Sequence, residues 1–244
     1  MEFKDIVRKI INTFGIDVVR YPTYDMVNVK NILNTLDIDL ILDVGANIGQ
    51  YVKFIRQSGY EKNIISFEPL KVEYQKLIEK NSKDTQWTGY NIAFGDEDGN
   101  HIINRSENSV SSSLLEPIKD FTIDKFEGIG IQTVAKEEIK VSKLDTFFQD
   151  NPELLVRNIF LKMDVQGFEM EILNGGLNTL HQFKAIQIEL NFNPVYHGSH
   201  NYESIVSFLK ERNFKLIYLI PGFANPKTGE LIESDGIFVK VDRV

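Results

Sequence analysis

Two short runs of this sequence bring together residue types that can do chemistry. The first is Asp43-Val44-Gly45-Ala46-Asn47-Ile48-Gly49. Its glycines allow close backbone approach and dihedrals closed to other residues. The helix expected after it offers free N–H groups and the positive end of a dipole. A dinucleotide fingerprint reads G-x-G-x-x-G, but here Ala46 stands in the middle and the preceding strand ends in an acid, Asp43. An anion is repelled by a pyrophosphate and attracted by an ammonium or sulfonium. The loop therefore favours S-adenosylmethionine over NAD. Glu68 ends the next strand, where a carboxylate can accept hydrogen bonds from ribose hydroxyls. The expected cofactor contacts are Asp43, Gly45, Ala46, Asn47, Gly49, Gln50, Glu68, Pro69, Asn91 and Asp164.

The second run is Leu161-Lys162-Met163-Asp164-Val165-Gln166-Gly167-Phe168-Glu169. Lys162 and Asp164 are two apart on an expected strand, so they share one side of it. Glu169 falls just inside the next helix. All three are expected to face a cleft; the plain alternative is a strand end closed by a salt bridge. Methyl transfer from a sulfonium to an acceptor that carries a proton needs a base or a metal to help remove that proton. Asp164 is the first candidate base, with Lys162, Glu169 and Glu189 as further catalytic candidates. His197, in a loop at 191–197, is another, because its ordinary pKa lies near neutrality. Asp164, Glu169 and Glu189 could also gather a divalent ion, and oxygen-only ligands would suit magnesium.

These runs need elements to hold them. Residues 1–37 read as two helices, with Phe3, Ile6, Val7, Ile10, Ile11 and Phe14 at helical spacing in the first. That helix is expected to pack on the domain, with membrane-surface contact as the alternative. Leu40–Val44 and Asn63–Phe67 read as buried strands, each followed by a helix, at 48–58 and 70–81. A third strand is expected over Thr88–Phe94. Residues 100–142 break the rhythm and read as an inserted hairpin or sheet extension around a Ser-rich loop. Strands resume at 158–164, 185–190, 214–220 and 236–241, with helices to 173 and at 201–212. Strand–helix alternation predicts a mostly parallel sheet covered on both faces. The last two strands lack an intervening helix and are expected to pair antiparallel. Segments 105–117, 191–200 and 221–235 are expected to reach over the cofactor, with Phe192, Tyr196, His200 and Asp235 among their residues.

The totals narrow the function. The chain has 244 residues, enough for one large domain. A formal net charge of -8 argues against nucleic acid as the partner. The absence of cysteine excludes disulfides and thiolate metal sites and fits the cytoplasm. No apolar stretch approaches the ~18 residues of a membrane span. The expected partner is a small-molecule acceptor, with room for a homodimer.

The sequence resembles the FkbM family of S-adenosylmethionine-dependent methyltransferases. The resemblance rests on Leu42–Gln50, Phe67-Glu68-Pro69, Leu144-Asp145, Leu161–Glu169 and Ile188-Glu189-Leu190, and covers about residues 40–241. Gln166 is a departure, since the family often has Glu there. The resemblance implies a class I methyltransferase fold, a seven-stranded Rossmann-like sheet whose last strand inserts antiparallel. It would occupy residues 39–244, after an N-terminal helical segment at 1–38. It also implies O-methylation of sugar hydroxyls, in glycans or nucleotide-sugars, or of natural products. An NAD-dependent oxidoreductase and a non-catalytic nucleoside-binding protein are the competing readings.

Overall fold

The apolar run Leu40–Val44 forms strand β1 with all five residues buried, and Asn63–Phe67 forms β2. They pair in parallel, Leu42 opposite Ile65. This is a computed structural model, and it describes residues 11, 13, 21–118, 133–193, 196–225 and 227–241. The expected helix at 3–14 lies outside these, apart from Ile11 and Thr13. The second expected helix is α1, Tyr24–Thr35, capped by the Thr23 side chain. Helices α2 (Gln50–Ser58) and α3 (Lys71–Asn81) follow β1 and β2, as the alternation predicts.

The third expected strand is divided. Trp87–Tyr90 is β3 and joins the main sheet beside β2, whereas Ala93–Phe94 is β4 and belongs to a second sheet. Asn91 sits at the break, and its side-chain amide donates to the carbonyls of both Glu68 and Pro69. That pins the chain across the end of β2 and turns it away. The inserted region is β5 (Gly99–Ser106) and β6 (Thr133–Ser142), an antiparallel pair. With β4 they make a three-stranded sheet of their own and do not extend the main one.

The alternation then resumes with α4 (Leu144–Asp150), β7 (Ile159–Met163), α5 (Glu169–Asn174), β8 (Ala185–Asn191), α6 (Tyr202–Glu211), β9 (Phe214–Pro221) and β10 (Glu233–Lys240). The main sheet runs β3-β2-β1-β7-β8-β10-β9. Strand β10 is antiparallel to both β8 and β9 and inserts between them, so β9 takes the edge. The order reverses between β1 and β7, and in open α/β sheets ligands bind at such a switch, outside the carboxyl ends of the strands.

Each face of the sheet is buried against helices. Helices α1 and α2 supply Val29, Leu33, Val52 and Ile55 to a cluster with Ile41, Phe160, Ala185 and Ile237. Helices α4, α5 and α6 cover the other face with Leu144, Phe147, Phe148, Ile172, Leu173, Ile205 and Leu209. Among the described residues no helix is long and apolar enough to cross a membrane.

The two sheets meet where α5 ends. A Cβ on Gly175 would lie 1.9 Å from the Gly95 carbonyl oxygen, a backbone atom with no rotamer to yield. Gly175→Ala should therefore destabilise the protein by about 1–3 kcal/mol, as overpacking does. The check is a urea titration with a lowered midpoint and an unchanged slope.

Candidate active site

On the face of the sheet that packs against α1 and α2, four neighbouring strands switch from apolar to polar at the same level. Alternation puts Ile41 and Asp43 on one side of β1, Phe160 and Lys162 on that side of β7, Ala185, Gln187 and Glu189 on that side of β8, and Ile237, Asp235 and Glu233 on that side of β10. The register aligns them. Asp43 is the cross-strand partner of Lys162, Lys162 of Gln187, Glu189 of Asp235, and Asn191 of Glu233. The lower rows make the apolar core and the upper rows make the floor of a cleft.

The centre of that floor is an ion pair. Lys162 Nζ lies 3.2 Å from Asp43 Oδ1 and 3.6 Å from Asp164 Oδ2. Asp43 is fully buried and its Oδ1 receives no well-angled hydrogen bond, so the lysine is its compensating charge among the described residues. Asp43 Oδ2 accepts from Ser66 Oγ at 3.1 Å, and Trp87 Nε1 donates to that hydroxyl at 3.0 Å. Burial opposes charge on Lys162, but Asp43, Asp164 and Asp235 outweigh it and hold the ammonium protonated. Lys162 also lies 5.2 Å over the ring of Tyr51, whose hydroxyl donates to Gln187 Oε1 at 2.8 Å. Gln187 Nε2 in turn donates to Asp235 Oδ2 at 2.8 Å.

The glycine loop lies above this floor. Gly45 has φ +76, and a Cβ there would stand 2.0 Å from the Asp164 carbonyl oxygen, so the β1 and β7 loops touch backbone to backbone. Gly49, at φ +90, opens α2. The loop uses its own amides. Those of Gly45 and Ala46 donate to the Phe67 carbonyl, that of Asn47 to Glu68 Oε2, that of Ile48 to Asn47 Oδ1, and that of Gly49 to the Ala46 carbonyl. None is left over to cradle a phosphate, which is what a pyrophosphate-binding loop requires.

A cavity of about 330 Å³ opens over this loop. Of the expected cofactor contacts, Gly45, Ala46, Asn47, Gln50, Glu68, Pro69 and Asp164 line it, together with Tyr51, Phe67, Ser109, Ser112 and Ser113. Asp43, Gly49 and Asn91 do not. Asp43 lies beneath the loop against Lys162, Gly49 shapes the helix start, and Asn91 holds the turn after β2. Glu68 is nearly buried, and its two oxygens accept from the amides of Asn47 and Leu70. Burial raises its pKa to about 7 despite those bonds.

A second cavity of about 420 Å³ adjoins the first, and Val110, Asp164, Gln166 and Asp235 line both. All three segments expected to reach over the cofactor contribute to it, through Asn108 and Ser111, Asn191 and Tyr196, and Gly222, Phe223 and Glu233. Phe192 and His200 do not. Phe192 packs against Tyr202 with the rings tilted by 35°, and His200 sits at the surface 3.8 Å from Glu171.

The catalytic candidates separate. Asp164 is partly exposed and stands where the cavities meet. Lys162 lines the first cavity and Glu189 the second. Glu169 lines neither, because its Oε1 turns back to accept from the amides of Val165 and Gly167. His197 is exposed and lines neither, its amide donating to the Glu116 carbonyl. The magnesium expectation finds no ligand set. Among the described residues no three His, Asp or Glu side chains gather as metal ligands, and Glu169 is committed to its own loop.

Gln166 is what sequence reasoning missed. It has φ +57, and Gly167 after it has φ +94, so the β7 loop makes a left-handed turn that aims the amide inward. Its Nε2 donates to Asp164 Oδ1 at 3.2 Å and to Glu189 Oε2 at 2.9 Å, while its Oε1 lies 3.1 Å from the Tyr196 hydroxyl. Only an amide can donate to two carboxylates and accept from a phenol at once. Glu233 escapes a reading of the sequence too; its signal is the period-two acid pair Glu233 and Asp235 at a strand end.

Strand order and glycine loop together define a class I methyltransferase fold. A family model described as the methyltransferase FkbM domain matches residues 43–216, and the chain belongs to that family. No curated protein matches it. Similar solved structures include magnesium protoporphyrin IX methyltransferase from Synechocystis with bound S-adenosylmethionine, at 12% identity over 99% of this chain and 98% of that one, TM-score 0.44. A didemethyltoxoflavin N1-methyltransferase from Burkholderia thailandensis matches at 10% identity over 90% and 78%, TM-score 0.44. Fibrillarin from Aeropyrum pernix matches at 10% over 82% and 66%, TM-score 0.45.

The raised pKa of Glu68 has a definite sign. Its contribution to stability is present below the ordinary value of 4.5 and is lost as pH rises through about 7. Glu68→Gln should therefore flatten the fall in unfolding free energy between pH 5 and pH 8, a difference on the order of 3 kcal/mol. Denaturant titrations at both pH values check this, and an unchanged slope would show that Glu68 is ionised at no cost.

Proposed function

We propose that this methyltransferase uses S-adenosylmethionine and transfers its methyl group to a hydroxyl of a sugar or a natural product. The observation that supports this best is the meeting of the two cavities at Asp164. One side has the features a nucleoside needs, with Glu68 at the end of β2 and a close-approaching glycine loop. The other is a chamber of mixed polar and apolar lining to which all three long loops contribute.

The residues fit a sulfonium cofactor better than a dinucleotide. The amides of Gly45 to Gly49 are satisfied internally, so a pyrophosphate would find no donor among them. The shared wall carries Asp164 and Asp235, and a cation beside them is attracted. Asp43 does not act as that anion, since Lys162 neutralises it under the loop. The preference for a cation passes to the two acids at the junction.

When bound, the cofactor supplies an electrophilic methyl group. The chain must then hold the acceptor in line and take up the hydroxyl proton. We assign the second task to Asp164. Lys162 contacts its Oδ2 and Gln166 donates to its Oδ1, which fixes the carboxylate plane while the group remains open to the acceptor cavity. Burial, and then the charges of Asp164, Glu169 and Glu233, push Glu189 well above the usual carboxylate range, and both its oxygens already accept, from the amides of Gln166 and Asn191, so it anchors Gln166.

Two measurements check the reading. S-adenosylhomocysteine should raise the melting temperature, and NAD should not. With any hydroxylated acceptor that supports turnover, Asp164→Asn should lower kcat by about 10²–10⁴-fold, with affinity for S-adenosylhomocysteine changed less than about threefold. Turnover near the wild-type rate would remove Asp164 from proton transfer.

A further inference from the structure

One carboxylate in the acceptor cavity has no task in the mechanism above. Four acids line that cavity, Asp164, Glu189, Glu233 and Asp235, and among its described lining residues there is no lysine, arginine or histidine. Three of the four are engaged. Asp164 takes Lys162 and Gln166, Asp235 takes the Gln187 amide, and Glu189 takes the amides of Gln166 and Asn191. Glu233 has neither a hydrogen-bond nor an ion-pair partner for its carboxylate among the described residues, whereas Ser234 beside it donates to the Ile220 carbonyl and Asn191 opposite it donates to Glu189.

Its place is set by the sheet. Glu233 begins β10, opposite Asn191 on β8, two residues before Asp235 and on the same side of the strand. It is thus one row further from the sheet centre than the shared wall, at the outer part of the acceptor chamber. Beside it are groups that suit hydroxyls, Asn108, Ser111, Asn191 and Tyr196. Burial, and then the charges of Asp164 and Asp235, raise the Glu233 pKa to about 7. The carboxylate is held there at a cost that a bound cation would relieve.

Resting on the methyltransferase reading above, we infer that the acceptor carries a cationic amine beside its hydroxyls, as an amino sugar or aminopolyol does, and that Glu233 anchors the ammonium. The same charge pattern works against phosphorylated, carboxylated and nucleotide-linked sugars, which would bring an anion into a chamber already lined with acids. Nucleotide-sugars, admitted by the sequence, are therefore disfavoured as acceptors. An unpaired carboxylate in a cavity gains most from a partner that pairs it, because both charges are then compensated away from bulk water.

The test uses the full chain saturated with S-adenosylhomocysteine and three matched probes, methyl glucosaminide, methyl glucoside and methyl glucuronide. Ligand-detected NMR titration measures each Kd at pH 7.5, and calorimetry measures the Kd of S-adenosylhomocysteine itself. The glucosaminide should bind at least tenfold more tightly than the glucoside, with the glucuronide weakest. Glu233→Gln should erase most of that preference while leaving the S-adenosylhomocysteine Kd within twofold, which also shows that the variant is folded. Equal binding of amine and neutral sugar, no binding of the glucosaminide, or a preference that survives Glu233→Gln overturns the amine assignment and leaves the methyltransferase reading standing. Failure of S-adenosylhomocysteine to bind the unaltered chain overturns the cofactor reading first, and this inference with it.

Discussion

The buried pair between Asp43 and Lys162 is the contact on which the rest of the site depends. It joins adjacent strands at directly opposed positions, in the row where the sheet turns from apolar to polar. A buried pair of this kind is weak evidence of net stability, since desolvation offsets most of the attraction, but losing one partner leaves an uncompensated charge and costs about 3–5 kcal/mol. The consequence is positional. The β1 and β7 loops leave the sheet side by side, close enough for Gly45 to touch the backbone of Asp164. A side chain on Gly45 would push those loops apart, and the junction between the two cavities would open with them.

From that contact the site builds outward in layers. Lys162 is shared between Asp43 below and Asp164 above, so one ammonium compensates a buried acid and contacts the partly exposed acid that we propose as the base. Gln166 continues the chain of contacts to Glu189, and Gln187 continues it to Asp235. The Ser-rich loop closes the roof, with Ser113 Oγ donating to the Gln166 carbonyl and Asn47 Nδ2 donating to Ser109 Oγ. The second sheet exists to deliver that loop. Its strands β5 and β6 lie outside the main sheet, and the segment after β5 reaches back over the glycine loop and the β7 turn.

Much of this is legible in the sequence where local pattern and tertiary burial agree. Strands Leu40–Val44 and Asn63–Phe67 read correctly because continuous apolar runs between turn residues admit few alternatives. The antiparallel final pair is legible because a linker without a helix cannot cross over the sheet. The division of Thr88–Phe94 is not, since a long-range amide contact from Asn91 causes it and no periodicity records that. Asp43 reads in the sequence as a cation-seeking anion at the cofactor. Which charge faces it is decided by strand order, and only the register with β7 reveals Lys162 as its partner. Gln166 reads as a neutral stand-in for an acid, and its value as a double donor depends on a left-handed turn and on Glu189, twenty-three positions away.

The central claim is that the cavity over the glycine loop holds the methyl donor and that Asp164 marks where methyl meets acceptor. A crystal structure of the complex with S-adenosylhomocysteine tests this most directly. The account predicts ribose hydroxyls against Glu68 and the sulfur at the shared wall of Asp164, Gln166 and Asp235. A nucleoside bound away from Gly45 and Glu68, or a sulfur facing away from Asp164, would contradict it.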